Sequence, residues 1–249
     1  MKNIKSSVLK KFKKTVDKNI NLMALDKGLK AKSIDWMLHA DKYKYTYNYR
    51  WMGIPIIKFP NDILALQEII WKVKPDIIIE TGIAHGGSII FSATMMELIG
   101  NNGLVIGVDI DIRKHNKIEI EKSKFSKRIK MLEGSSVSKK ILKEIKKSIK
   151  PNSKVMVFLD SNHTYSHVKK EMEIYSKLVT KNSYLVVEDT FTEFFPKNYF
   201  NNRPWDVGNN PLIAIKEFLN NNKKFKIDKN LNEKLSITET FDGYLKKIK

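Results

Sequence analysis

Two adjacent carboxylates, Glu188 and Asp189, close the apolar stretch Y-L-V-V-E-D-T (184–190). At the end of a core strand they repel each other and resist burial, so something cationic must compensate them. A third carboxylate, Asp160, ends a second apolar stretch, K-V-M-V-F-L-D (154–160). If the two strands are neighbours, Asp160, Glu188 and Asp189 converge in one crevice. All-oxygen ligation in a chain without cysteine suits a hard cation such as Mg²⁺ or Mn²⁺. A carboxylate pair with raised pKa, set up for acid–base work, is the alternative. His163, three residues past Asp160, reaches the same crevice and, as a neutral imidazole, can take a proton near neutral pH. His167, four residues further, is expected to face its helix neighbours or solvent.

Other strand ends are polar too. E-T-G-I-A-H-G-G-S (80–88) follows an apolar run, and its glycines let backbone approach a ligand. It is neither G-x-x-x-x-G-K-[ST] nor G-x-G-x-x-G, so a triphosphate-gripping loop is excluded. It reads as a turn for a nucleoside-type cofactor, with His85 contacting either that cofactor or backbone. In G-V-D-I-D (107–111), Asp109 is placed to accept ribose hydroxyls, with Asp111 second in line. E-G-S-S (133–136) offers short polar contacts to an adenine ring or a plain loop cap.

These ends need a scaffold. Strands are expected at 76–80, 103–109, around 128–134, 154–160 and 184–189, each followed by a helix or loop. Continuous apolar runs alternating with helices indicate a parallel sheet covered on both faces, with ligands beyond its carboxyl ends. A helix over 212–220 and strands F-K-I-D and L-S-I-T-E-T complete the chain. Asn61-Asp62 is expected to cap a helix that ends before Pro75. Residues 1–42 are read as a basic helical extension and 43–249 as one domain. In the extension, Ile4, Val8, Leu9, Phe12 and Val16 fall near helical spacing. Such a helix packs on the body, on a second subunit in a homo-oligomer, or peripherally on an anionic inner-membrane face.

The 249 residues carry 46 basic against 27 acidic side chains, a net charge of +19. Only Arg50, Arg113, Arg128 and Arg203 are arginine, the usual tool for phosphate and base recognition. A solvated lysine-rich surface is preferred to a nucleic-acid partner. No apolar run approaches the ~18 residues of a membrane span. The N-terminus lacks a secretory pattern, so a cytoplasmic location is expected.

From about residue 43 to the end, the chain resembles the cephalosporin hydroxylase / rhamnosyl O-methyltransferase family of S-adenosylmethionine (SAM)-dependent enzymes. The resemblance is carried, in order, by W-M-G-I-P-I-I-K-F-P, K-P-D-I-I-I-E-T-G-I-A-H-G-G-S, V-I-G-V-D-I-D, L-D-S-N-H-T-Y-S-H-V, Y-L-V-V-E-D-T, G-N-N-P-L-I-A-I-K-E-F-L and F-D-G-Y-L-K. It implies a class I SAM-methyltransferase (Rossmann-like) fold: a seven-stranded, mostly parallel sheet with one antiparallel strand and helices on both faces. It implies SAM over the E-T-G-I-A-H-G-G-S turn with Asp109 on the ribose. Together with the strand-end reading, the expected cofactor contacts are Glu80, Thr81, Gly82, Ala84, His85, Gly86, Ser88, Asp109, Gly134, Ser135, Ser136 and Asp160. A divalent metal is implied at Asp160, Glu188 and Asp189. The expected reaction is methyl transfer to a hydroxyl of a sugar in a bacterial surface glycan or glycolipid, with His163 and Asp160 catalytic. Trp51, Arg203 and Trp205 are expected to line the acceptor pocket. No His-rich iron triad or cysteine cluster supports hydroxylase chemistry. A nucleic-acid methyltransferase and a non-catalytic membrane-associated scaffold are the rival readings.

Overall fold

The structure is a computed structural model that describes residues 2–249, with side chains from Ser7 onward; Ile4 of the basic helix has no described side chain. The chain opens with α1 (Lys2–Leu25) and α2 (Lys27–Asp41). The single helix expected here is interrupted because Asp26 takes an extended conformation and caps α2, accepting from the Leu29 N–H. A two-stranded hairpin, β1 (Arg50–Trp51) with β2 (Ile54–Pro55), leads into α3 (Pro60–Val73). The alternating body follows: β3 (Ile77–Thr81), α4 (Gly87–Ile99), β4 (Leu104–Asp109), α5 (Lys114–Lys122), β5 (Ile129–Glu133), α6 (Lys139–Ser148), β6 (Val155–Leu159), α7 (Tyr165–Tyr175) and β7 (Tyr184–Val187). The chain closes with α8 (Pro211–Asn221), β8 (Phe225–Ile227), α9 (Lys229–Glu233) and β9 (Tyr244–Lys247).

Seven strands form one sheet in the order β5-β4-β3-β6-β7-β9-β8. Strands β3 to β7 are mutually parallel, while β9 runs antiparallel to both its neighbours. The alternation of side chains splits each central strand between two cores. Ile78, Met156 and Phe158 face one helical layer, and Ile77, Ile79, Val155 and Val157 face the other. That two-sided burial explains why these strands read as unbroken apolar runs.

Strand order fixes where chemistry can occur. The chain winds from β3 outward through β4 and β5, then returns to β6 on the other side of β3. Connections therefore diverge at the β3/β6 junction and leave a crevice at its carboxyl end. Registers Thr81↔Leu159 and Leu159↔Val187 bring the ends of β3, β6 and β7 level. The Asp160 N–H donates to the Thr81 carbonyl at 2.9 Å, and the Glu188 N–H to the Leu159 carbonyl at 3.0 Å.

Two expectations are corrected. L-S-I-T-E-T (235–240) is irregular rather than a strand, and the last strand lies beyond it at Tyr244–Lys247. Asp62 is the reason, and it does not cap α3, which starts two residues earlier with Pro60 in its first turn. The buried Asp62 carboxylate instead accepts from the Thr238 hydroxyl, from the Glu239 N–H at 2.9 Å and from the Tyr244 hydroxyl at 2.9 Å. Side-chain bonding thus replaces ladder bonding along 238–240.

Asp62→Ala orphans three buried donors, so a loss of about 3 kcal/mol or more is expected. Asp62→Asn should lose less. Urea denaturation of both variants checks this.

Candidate active site

The cation required by the acidic strand ends is Lys58, in the apolar run I-P-I-I-K-F-P just before α3. It is 1% exposed. Its Nζ donates to Asp160 Oδ2 at 3.0 Å, to Glu188 Oε2, and to Glu239 Oε1 at 3.4 Å. Burial alone would lower the lysine's pKa. Asp160, Glu188 and Glu239 outweigh that and hold it well above the ordinary value, so the amine stays charged. Sequence reading demanded a cation but did not find Lys58. The available signal was one lysine between two prolines in an otherwise apolar segment.

The adjacent acids of β7 are turned to different partners. Asp189 adopts a left-handed backbone conformation, φ 57°, which is unfavourable for a residue with a Cβ. Glu188 thereby points inward to Lys58, with its Oε1 buried and unpartnered. Asp189 points to the crevice, its Oδ2 lying 3.4 Å from His163 Nε2. Burial first, and then the charge of Asp160, push Asp189 well above the usual carboxylate range.

Asp160, His163 and Asp189 present ligand atoms within 4.8 Å of one another. This set contains two of the three expected metal ligands, with His163 where Glu188 was expected; Glu188 stands behind them on Lys58. The two carboxylates suit a hard divalent cation, and the ring nitrogen beside them suits proton transfer. The local charge also suits such a cation: Glu80, Asp160, Glu188, Asp189 and Glu239 surround a single ammonium. Glu80 and Glu188 are both pushed up to about 8, chiefly by burial. His163 is held below its ordinary pKa, again by burial first, so its ring is neutral at neutral pH.

A cavity of about 610 Å³ lies over this cluster. The turn after β3 forms one wall. Gly82 has φ 91°, and a Cβ there would collide with the Asp160 carbonyl; a Cβ on Gly87 would strike Pro55. Glycine therefore lets this turn lie flat against two neighbouring segments. Asp109 braces the turn, accepting from the Ile83 N–H at 2.8 Å and the Ala84 N–H at 3.3 Å on Oδ2, and from the Asp111 N–H on Oδ1. Glu80, Gly82, Ala84, His85, Gly86 and Ser88 all line the cavity; Thr81 is fully buried beneath them. Gly134, Ser135 and Ser136 line it from the end of β5. Ser136 is committed to structure as well: its hydroxyl lies 3.2 Å from His167 Nε2, and its carbonyl accepts from Tyr175. His167 sits 3.4 Å from Glu171 on its own helix, but it also lines the cavity, so it does not face only helix neighbours and solvent.

Another part of the lining is aromatic. Trp205 meets His163 edge-on with centroids 4.6 Å apart, and the Arg203 guanidinium lies over Trp205 at 5.3 Å. Tyr45, Phe191 and Phe200 continue this lining. Trp51 does not. Its Nε1 donates to Thr94 at 3.2 Å and its ring packs edge-on to Phe91, centroids 4.9 Å apart. The α4 face satisfies both the apolar ring and its donor, so Trp51 anchors the β1–β2 hairpin instead of meeting an acceptor.

The sequence profile described as Rhamnosyl O-methyltransferase/CmcI matches residues 43–248. The chain belongs to this family. Among relatives, it is 34% identical to the rhamnosyl O-methyltransferase of Mycobacterium leprae (strain TN) over 142 residues, 56% of this chain and 59% of that one. Against the rhamnosyl O-methyltransferase of Mycobacterium tuberculosis (strain ATCC 25618 / H37Rv), identity is 32% over 142 residues, 56% of each. The chain thus spans less than two thirds of the curated relatives it matches. In fold, this Rhamnosyl O-methyltransferase/CmcI family member is similar to a solved CmcI structure described as Mg-SAM: TM-score 0.58, 17% identity, 82% of this chain and 78% of that one. It is also similar to an O-methyltransferase from Bacillus cereus in complex with SAH: TM-score 0.51, 14% identity, 78% and 81% covered. The fold is that of class I SAM methyltransferases.

Lys58→Met should destabilise the protein in EDTA by about 3–5 kcal/mol, because carboxylates stay buried without their ammonium. A pH series supplies the sign. Glu80 and Glu188 hold protons in the fold at pH values where the unfolded chain has released them, since their folded pKa of about 8 exceeds the ordinary 4.5. The stability they contribute is complete below 4.5 and is lost as pH rises through 8. Melting temperature in EDTA should therefore fall across that window, and more steeply in Lys58→Met.

Proposed function

We propose that this protein is a SAM-dependent, divalent-metal-dependent O-methyltransferase acting on a sugar hydroxyl, in a surface glycan or glycolipid. One observation carries the reading: Asp160, Asp189 and His163 meet in a cavity that a glycine turn and a set of aromatic side chains also line. Family membership supports the reaction class.

Asp160 and Asp189 would hold the metal, with Glu188 supporting them from behind, and the residues from Glu80 to Ser88 would hold SAM. When bound, the metal supplies Lewis acidity that lowers the pKa of a ligated hydroxyl, and SAM supplies the transferable methyl. The protein's own residues do the rest. His163, neutral through burial, accepts the acceptor's proton at Nε2. Asp189, 3.4 Å from that nitrogen, stabilises the imidazolium so formed. Trp205, edge-on to His163, keeps the ring in place, and with Tyr45, Phe191 and Phe200 it gives the cavity an aromatic lining of the kind a sugar ring packs against. With SAM held along the glycine turn, proton loss to His163 would free the acceptor oxygen to take the methyl group. The methyl–sulfur bond would break as the oxygen–carbon bond forms and S-adenosylhomocysteine leaves, with positioning contributing much of the acceleration.

The test is SAM consumption across sugar and nucleotide-sugar acceptors, with and without EDTA. Activity should vanish on chelation and return with Mg²⁺; turnover indifferent to EDTA would remove the metal from the reading. His163→Ala should lower kcat by about 10²–10⁴, the range for a general base, while SAM affinity by calorimetry changes little. Asp160→Ala should abolish metal-dependent turnover with the circular dichroism spectrum unchanged.

A further inference from the structure

Among the described residues, the face by which α1 packs on the body continues outward as an exposed apolar stripe. Helix α1 lies against α9, and its Ile20 is buried at 7% exposure. Stepping back four residues at a time, Val16, Phe12 and Val8 extend the same stripe, 36%, 67% and 61% exposed, with Leu9 beside them at 62%. Four large apolar side chains within nine positions form a patch, unlike the scattered apolar residues of an ordinary surface. Lys10, Lys11, Lys13, Lys14 and Lys18 are all exposed along the same turns, and Asp17 is the only acid between positions 2 and 25.

That charge decides what can cover the stripe. A second copy laid against it would bring two lysine-rich helices together, and like charges across an interface oppose association. An anionic bilayer offers an acyl boundary for the apolar stripe and negative headgroups for the flanking lysines. We infer that α1 docks this protein on an anionic lipid surface, with Val8, Leu9, Phe12 and Val16 entering the acyl boundary and the five lysines contacting headgroups. Among the described residues no helix is long and apolar enough to cross a membrane, so this contact lies in the interface plane. Through Asp26, α1 is joined to α2, whose Met37 and Asp41 line the cavity.

The test is flotation of the full chain with vesicles of phosphatidylglycerol or of phosphatidylcholine, without SAM, metal or acceptor, so the result is independent of methyl transfer. Binding to phosphatidylglycerol should be at least tenfold tighter than to phosphatidylcholine and should weaken with added salt. Val8→Asp/Phe12→Asp should cut it at least tenfold. Both side chains are exposed, so circular dichroism should be unchanged. Replacing Lys10, Lys11, Lys13 and Lys14 by Gln should do the same to the anionic-vesicle binding while leaving the apolar stripe intact. Equal binding to both vesicle types, or binding indifferent to the Asp pair, would overturn the inference. So would absence of vesicle binding together with a dimer, seen by sedimentation, that the Asp pair dissociates; that result would assign the stripe to a second copy.

Discussion

Lys58 Nζ reaches carboxylates from three separate parts of the chain: Asp160 after β6, Glu188 after β7 and Glu239 from the C-terminal segment. Each of these ions would cost several kcal/mol to bury alone. Together they are tolerable, because the ammonium faces an oxygen on every available side. The compensation is incomplete by design of the residues present, with Glu80 and Asp189 adding negative charge that one lysine cannot match. The site therefore holds protons at pH values where carboxylates normally lose them, or it takes a further cation. The same constraint explains the irregular 235–240 segment. Asp62 grips Thr238 and the Glu239 backbone, which delivers the Glu239 side chain to Lys58.

Everything else about the site follows from the ends of β3, β6 and β7 lying level. Their register puts the glycine turn against Asp160, and the left-handed Asp189 divides two adjacent acids between an inward structural role and an outward one. Asp109 contributes at a distance by fastening the turn through the Ile83 and Ala84 N–H groups. The 196–210 loop adds Trp205 against His163, so the proposed base is held by packing as well as by its carboxylate neighbour. The resulting cavity combines acidic, glycine-turn and aromatic linings, to which the proposed function assigns charge control, cofactor and acceptor respectively.

Much of this was legible in the sequence because it is local. Runs such as I-I-I-E-T and V-M-V-F-L announce strands buried on both faces, and the acids and glycines that end them announce the crevice. What could not be read is what depends on distant pairing. Lys58 meets Glu188 across 130 positions, and nothing in I-P-I-I-K-F-P shows where its amine points. Asp62 looks like a helix cap because it sits in a helix's first turn; only the return of the C-terminal segment reveals its partners. Trp51 was misplaced for the opposite reason. An indole in a short aromatic segment looks available, yet Thr94 and Phe91 on α4 satisfy it completely. L-S-I-T-E-T alternates like a strand, but its polar groups are claimed by a side chain before a neighbouring strand can pair with them.

The most direct measurement is anomalous diffraction at the manganese edge from crystals grown with Mn²⁺ and SAM. One peak bridging Asp160 and Asp189, with Lys58 still on Glu188 and SAM along the Glu80–Ser88 turn, is the predicted result. A crystal with SAM in place but no manganese between those two carboxylates would contradict it.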